Sequence, residues 1–290
     1  MADLLTRLST PELVNPILIM GWDGWTNAGE VATGVVGYVK DKLQAKKFAE
    51  LESDSFYQFT HNRPMVAMRE GKLRSFTYPR TELFFWKDPQ ERRDVVLLVG
   101  AEPDLRWPTY IGLVLDLAQE LGVTRLYTVG GYYDSVPHTR DTPCTGGSDD
   151  QALFDELRQL RVDPSSYVGP TGIITAFLYE AKERKLPAAS IWARVPHYVQ
   201  ISNPKAWHGA LWRLLGSTRL PVDAVPLLKR GETFEKQVNT QMESNPQLRD
   251  HVRELEQHAD ATAPLEPLRQ DDILRSVEDF FRQNPDAPRP

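Results

Sequence analysis

The sequence predicts an α/β protein with a mostly parallel central sheet, followed by a helical C-terminal part. Three observations carry this. Residues 17–20, 94–100 and 125–130 are short apolar runs of the kind found in strands covered on both faces. Between the second and third lies a helical pattern, Ile111, Val114, Leu115, Ala118 and Leu121, so the run reads as a right-handed parallel crossover. Beyond Pro221 the strand patterns stop.

The elements follow in order. Gly21 ends the first strand, and Ala28, Val31, Ala32, Val35, Val36, Val39 and Leu43 then mark one helical face. Asn27 is placed as its N-cap, with Glu30 three residues on in a capping box. Residues 48–51 read as a strand, 65–78 as a hairpin turning at Glu70-Gly71, and 82–86 as another strand. The crossover helix opens near Pro108 and stops at Gly122. After residues 125–130, Gly130-Gly131 is expected to turn into a long loop, 132–148.

Helices are expected over 149–160, then around Ile174, Phe177, Leu178 and Ala181, with a last core strand at 189–195. Asn203-Pro204 caps a helix bearing Trp207, Ala210, Leu211 and Leu214. Phe234, Val238 and Met242, then Leu248, Val252, Leu255 and Ala259, form a helical hairpin separated by Asn245-Pro246. Residues 261–267 read as a linker, and Asp271-Asp272 opens a short helix with Ile273, Val277, Phe280 and Phe281. The expected organisation is a core over 1–220, a helical appendage over 221–284 and a disordered tail over 285–290.

Composition narrows the function. The chain has 290 residues, 41% hydrophobic and 26% charged, which is ordinary for a globular protein. A net charge of -6 disfavours nucleic acid and anionic lipid, and no apolar run is long enough for a membrane span. No signal pattern opens the chain, so a cytoplasmic location is expected. Cys144 is the single cysteine, which excludes an internal disulfide and any multi-cysteine zinc site.

Phosphate-loop, nucleophile-elbow and His-Glu-x-x-His motifs are absent. Thr145-Gly146-Gly147-Ser148 precedes a helix, but Asp149 and Asp150 would repel a phosphate there, and a plain loop and cap is favoured. Cys144 with His138 could form a thiolate–imidazole pair; a lone free thiol is favoured, since no third group orients them. Asp134, His138, Asp149 and Asp150 match no metal-site spacing, and no metal is expected.

Asp23 and Glu102, each just after a strand, are the weak catalytic candidates. They could share a crevice, with one carboxyl poised for acid–base work. The favoured alternative has Asp23 bonding turn amides and Glu102 solvated. Trp22, Trp25, Trp107, Tyr132 and Tyr133 are read as exposed aromatics clustered at strand ends, suited to association.

The order of three motifs resembles the second proteasome assembly chaperone family. These are Gly21-Trp22-Asp23-Gly24-Trp25-Thr26-Asn27-Ala28-Gly29, then Gly130-Gly131, then Gly169-Pro170-Thr171-Gly172-Ile173. The resemblance spans residues 15–215, and the C-terminal helices are similar to the appendage of bacterial members. It implies a three-layer α/β/α fold similar to purine nucleoside phosphorylases, often a homotrimer in bacteria, and protein binding rather than catalysis; some members are labelled as ATP-dependent ligases, but nothing in this sequence supports ATP binding and no cofactor is expected. Carried onto this sequence, it marks Gly21, Asp23, Asn27, Ala28, Gly29, Gly130, Gly131, Gly169, Thr171 and Gly172, with Trp22 beside them, as a turn cluster at one sheet end. Members that dock on the proteasome core end in hydrophobic-Tyr-X. This chain ends Pro288-Arg289-Pro290, so docking by that route is not expected. The expected function is therefore a non-catalytic, oligomeric, assembly-chaperone-like protein. The alternative is a small-molecule-binding enzyme of nucleoside phosphorylase or hydrolase type.

Overall fold

The computed structural model describes residues 4–243 and 245–261. Strand β1 (Leu5–Arg7) is followed by β2 (Ile17–Asp23), α1 (Val31–Leu43), β3 (Lys46–Leu51), the hairpin β4 (Met65–Arg69) and β5 (Lys72–Thr77), then β6 (Thr81–Trp86) and β7 (Val95–Ala101). Helix α2 (Trp107–Glu120), β8 (Arg125–Asp134), β9 (Cys144–Ser148), α3 (Gln151–Gln159), β10 (Val162–Pro164), α4 (Ile173–Glu183) and β11 (Ala188–Pro196) complete the core. Helices α5 (Pro204–Thr218), α6 (Val225–Glu243) and α7 (Pro246–Asp260) follow. The expected linker at 261–267 lies almost wholly outside the described residues, as do the short helix opening at Asp271-Asp272 and the tail.

The main sheet runs β1-β3-β6-β7-β2-β8-β11-β9-β10. Only β7-β2-β8-β11 and the β9–β10 pair are parallel; β1, β3 and β6 on one side and β9 on the other join antiparallel. The sheet is thus mixed rather than mostly parallel. One reason is local: residues 87–94 join β6 to β7, too few for the crossover that a parallel neighbour needs.

Alternation along the central strands sorts the core into two layers. Ile17, Ile19, Val95, Leu97, Tyr127 and Val129 face one side, where Val31, Val35, Val36 and Val39 of α1 and Ala206, Ala210, Leu211 and Leu214 of α5 cover them. Leu18, Met20, Trp22, Val96, Leu98 and Leu126 face the other, under Tyr110, Ile111, Val114 and Leu115 of α2 and Ile173, Ile174 and Phe177 of α4. This is a three-layer α/β/α fold with C-terminal helices. Leu220, Val222 and Leu227 belong to the same buried cluster as α1 and α5, so the start of α6 is continuous with the core.

Three local expectations need correction. Gly130 and Gly131 do not turn: β8 continues through them to Asp134, and residues 144–148, expected within a loop, form β9 between β11 and β10. Both glycines are demanded by crowding, since a Cβ on Gly130 would lie 2.6 Å from the Trp192 ring and one on Gly131 2.6 Å from the Ala28 carbonyl. Helix α1 proper begins four residues after Asn27, because Gly29 and Glu30 take positive φ of 60° and 56° in a short 3-10 turn. Asn27 still serves the helix, its Oδ1 accepting from the Thr33 amide at 3.2 Å, but Glu30 makes no capping-box bond.

The β4–β5 hairpin forms its own two-stranded sheet. Glu70 and Gly71, both at positive φ, make its turn. Pairing shifts between Ala67 and Met68, so that Val66 faces Phe76, Met68 faces Leu73, and Arg74 is the extra residue of a bulge.

Candidate functional site

The carboxyl ends of β2, β7 and β8 carry the residues singled out in the sequence. After β2 the chain turns through Gly24, whose φ of 150° and position against Glu102 exclude a side chain: a Cβ there would lie 2.7 Å from the carboxylate. Asn27 then returns to the sheet, bridging to Gly131 in parallel, with the Gly131 amide donating to the Thr26 carbonyl at 2.8 Å. The next residues are pinned from α5, since the Gly29 carbonyl accepts from the Asn203 amide at 2.9 Å and the Trp207 indole at 2.8 Å.

Glu102 ties three segments together. One carboxylate oxygen accepts from the Trp25 amide at 3.1 Å, and the other accepts from the Ile173 amide at 2.8 Å, at the N-terminus of α4. A negative charge there complements the helix dipole. The Gly172 position also has to be bare, as a Cβ would approach the same carboxylate at 3.0 Å and Thr26 at 2.5 Å. Glu102 is therefore a strap between the first and third glycine motifs rather than a solvated carboxylate. Sequence reading missed this bond, although Gly24 and Gly172 on either side of it were its trace.

Asp23 serves a different partner, accepting from the Asn27 side-chain amide at 2.9 Å rather than from turn amides. Its backbone carbonyl meets the Glu102 amide at 2.6 Å, but the two carboxylates are engaged separately. Gly169 and Thr171 lie on an exposed segment beside this turn, with the Tyr167 hydroxyl donating to the Pro170 carbonyl at 2.9 Å.

The aromatics divide. Trp22, expected at the surface, is fully buried because the outward alternation of β2 points it under α2 and α4, stacked on Phe177 at 5.1 Å. Its indole begins a directed chain: Trp22 Nε1 donates to Tyr110 Oη (2.9 Å), Tyr110 to Thr81 (2.7 Å), Thr81 to Tyr57 (2.8 Å), and Tyr57 to the Ala101 carbonyl (2.9 Å). The last acceptor has no proton to give, which fixes the direction of every hydroxyl. Burial pushes the Tyr57 phenol up to about 12 and raises that of Tyr110 well above its ordinary value, keeping both as donors. Trp107 is half-buried, its indole donating to the Pro103 carbonyl, and Tyr132 packs edge-on to Trp192. Trp25 (66% exposed), Tyr133, Tyr167 and Val168 (98%) remain open.

The loop chemistry weighed in the sequence dissolves into structural roles. Cys144 is a buried core residue of β9 with its thiol pushed up to about 11 by desolvation. Asp134 takes Arg194 Nε at 2.6 Å, Asp149 pairs with Lys182 at 3.0 Å, and Asp150 caps α3 by accepting from the Leu153 amide at 2.9 Å. Among the described residues no three metal-ligating side chains gather.

His138 instead joins the segment after β8 to the C-terminal helices. It is buried, with Nδ1 2.8 Å from the Tyr198 hydroxyl and Nε2 3.1 Å from Oδ1 of Asn239 in α6. Lys205 bonds both the His138 carbonyl and Glu235, and Arg140 joins Glu256 and Asp260 of α7. Burial holds the His138 pKa below its ordinary 6.5, outweighing Glu235 and Glu256, which raise it. The unfolded chain therefore takes up this proton first, and stability present above pH 6.5 is lost as pH falls toward the folded value. Thermal melts from pH 8 to 5 should show the wild type losing more Tm than His138→Gln. Parallel curves would remove His138 from the acid response.

Comparisons agree with the fold. The model of the PAC2 family matches residues 21–242. Among solved structures, a PAC2 family protein from Streptomyces avermitilis is 30% identical, with 82% of this chain and 99% of that one covered and a TM-score of 0.73. A proteasome-assembly chaperone homologue from Mycobacterium tuberculosis is 29% identical over 81% and 99% of the two chains, with a TM-score of 0.74. A protein of unknown function from Corynebacterium glutamicum, 23% identical over 89% and 98%, shares the fold at a TM-score of 0.82. A search of curated proteins gives no match. With three quarters of its length matched in the order of motifs described, the chain belongs to the PAC2 family.

Proposed function

We propose that this protein is a non-catalytic, chaperone-like protein-binding molecule that works as a cytoplasmic homo-oligomer, a trimer by family resemblance. One observation carries the reading: at the sheet end, the carboxylates are consumed in holding loops, whereas the apolar side chains on those same loops stay exposed. Trp25 leaves the backbone that Glu102 pins, and Tyr167 and Val168 sit just before α4. A held backbone presenting large apolar side chains suits protein association, because little entropy is lost on docking. The name of the 29%-identical relative, a proteasome-assembly chaperone homologue, supports the same direction. Among the described residues no helix is long and apolar enough to cross a membrane.

Affinity capture from native lysate tests this with wild type and Trp25→Ser/Val168→Ser side by side. The expected result is a stoichiometric protein partner recovered by the wild type and lost by the variant, with light scattering giving three copies of the bait. Recovery of the bait alone under all conditions overturns it.

A further inference from the structure

Helix α6 and the turn that leads into α5 enclose an open groove of about 490 Å³, with Ile201, Ser202 and Pro204 on one wall and Arg230, Thr233 and Phe234 on the other. Its lining is largely apolar: Phe234 is buried, and Ile201 is 62% exposed. The charges of this stretch of α6 are sorted. Glu235 is taken by Lys205 and Glu232 lies toward His208, both partners being on α5. Lys229 and Arg230 line the groove, and among the described residues neither meets a carboxylate; Arg230 rests over the Trp207 ring at 5.4 Å. A chain of net charge -6 thus leaves two uncompensated cations on one groove.

The opposite wall is open in a second sense. Among the described residues nothing bonds to the backbone of Ile201 or Ser202, and main-chain donors and acceptors of that kind are what an extended chain pairs with. The wall is nevertheless held in place. The next residue, Asn203, donates its amide to the Gly29 carbonyl at 2.9 Å, and its side chain caps α5 by accepting from the Ala206 amide at 3.0 Å. A groove fixed in this way loses little entropy when it is filled.

We infer that the groove takes an extended acidic segment of a partner protein, with its main chain along residues 201–202, its carboxylates on Lys229 and Arg230, and an apolar side chain against Ile201 and Phe234. This rests on the protein-binding reading above and gives it a contact distinct from Trp25. A free anion would use the cations alone and leave the apolar lining and the open backbone without a partner.

Panning a displayed library of random dodecapeptides against the full-length protein tests this. Enriched sequences should combine several Asp or Glu with Leu, Ile or Phe. A labelled peptide of that kind should bind Lys229→Glu/Arg230→Glu about tenfold more weakly than wild type by fluorescence anisotropy. Gln237→Glu keeps both cations, adds a carboxylate to the same groove, and should weaken binding about threefold; it carries the test alone if the double variant melts early. No enrichment, enrichment without acidic residues, or equal binding by the variants overturns the inference. So does displacement of the peptide by free glutamate at equal carboxylate concentration, which would assign the cations to a small anion. A lysate partner lost by Trp25→Ser/Val168→Ser but kept in full by Lys229→Glu/Arg230→Glu overturns this inference alone and leaves the proposed function standing.

Discussion

Trp22→Ala costs about 3–5 kcal/mol, the range for emptying a buried tryptophan site. The loss falls on both sides of its packing. Phe177 loses the ring it stacks on, and Tyr110 loses the donor that starts the chain through Thr81 and Tyr57 to the Ala101 carbonyl. Those hydroxyls can each re-orient only by leaving another unpaired, since the chain has one direction. Trp22→Phe separates the contributions: it keeps most of the volume and removes the N–H, so it should cost about 1 kcal/mol from the lost hydrogen bond plus a smaller packing loss. Urea unfolding at pH 7.5 gives both values. If Trp22→Phe proves as costly as Trp22→Ala, the hydrogen-bond chain rather than packing dominates this layer.

Gly21→Val is the second large effect, on the opposite face of the same strand. A Cβ at Gly21 would lie 2.4 Å from the Ala32 carbonyl oxygen and 2.9 Å from the Val36 side chain, so α1 itself must move away from the sheet. That helix is also tethered through Asn27 to Thr33, and its lead-in is tethered through Gly29 to Asn203 and Trp207. The strain therefore spreads to the loop that presents Trp25. A cost of about 3 kcal/mol is expected, the upper part of the overpacking range. Gly21→Ala should already show a large share of it, because the first carbon makes the clash. A Gly21→Val protein with wild-type stability would mean that α1 can ride on β2 at a greater distance.

What was legible in the sequence followed from strong, regular signals. The runs at 17–20 and 94–100 became β2 and β7, Asn203-Pro204 opened α5, and Asn245-Pro246 separated α6 from α7. The misreadings trace to residues whose usual meaning was overridden by tertiary crowding. Gly130-Gly131 reads as a turn because glycine most often frees the backbone, yet here its value is the missing side chain, which admits Trp192 and the Ala28 carbonyl. The three-residue strands β1 and β10 are too short for any period to register. The amphipathic hairpin was recognised as a hairpin, but its apolar face arises from a bulge, and a one-residue shift in register cannot be read from alternation alone. At the site, Asn27 and Gly172 are marked by their motifs as parts of one turn cluster, but Gly24 is not. The agent that joins them, Glu102, lies some 75 residues from either end of any local pattern.

The outermost strands of the main sheet bear on how copies of this protein can associate. β1 and β10 are three residues each, with Thr6, Arg7, Asp163 and Pro164 exposed along them, and Pro164 offers no N–H. A neighbouring chain finds too short a ladder on either border to extend the sheet across subunits. Extension of the main sheet from one copy into the next is thereby disfavoured at both borders, and association that bypasses them rests on side chains, which can dictate a finite number of partners.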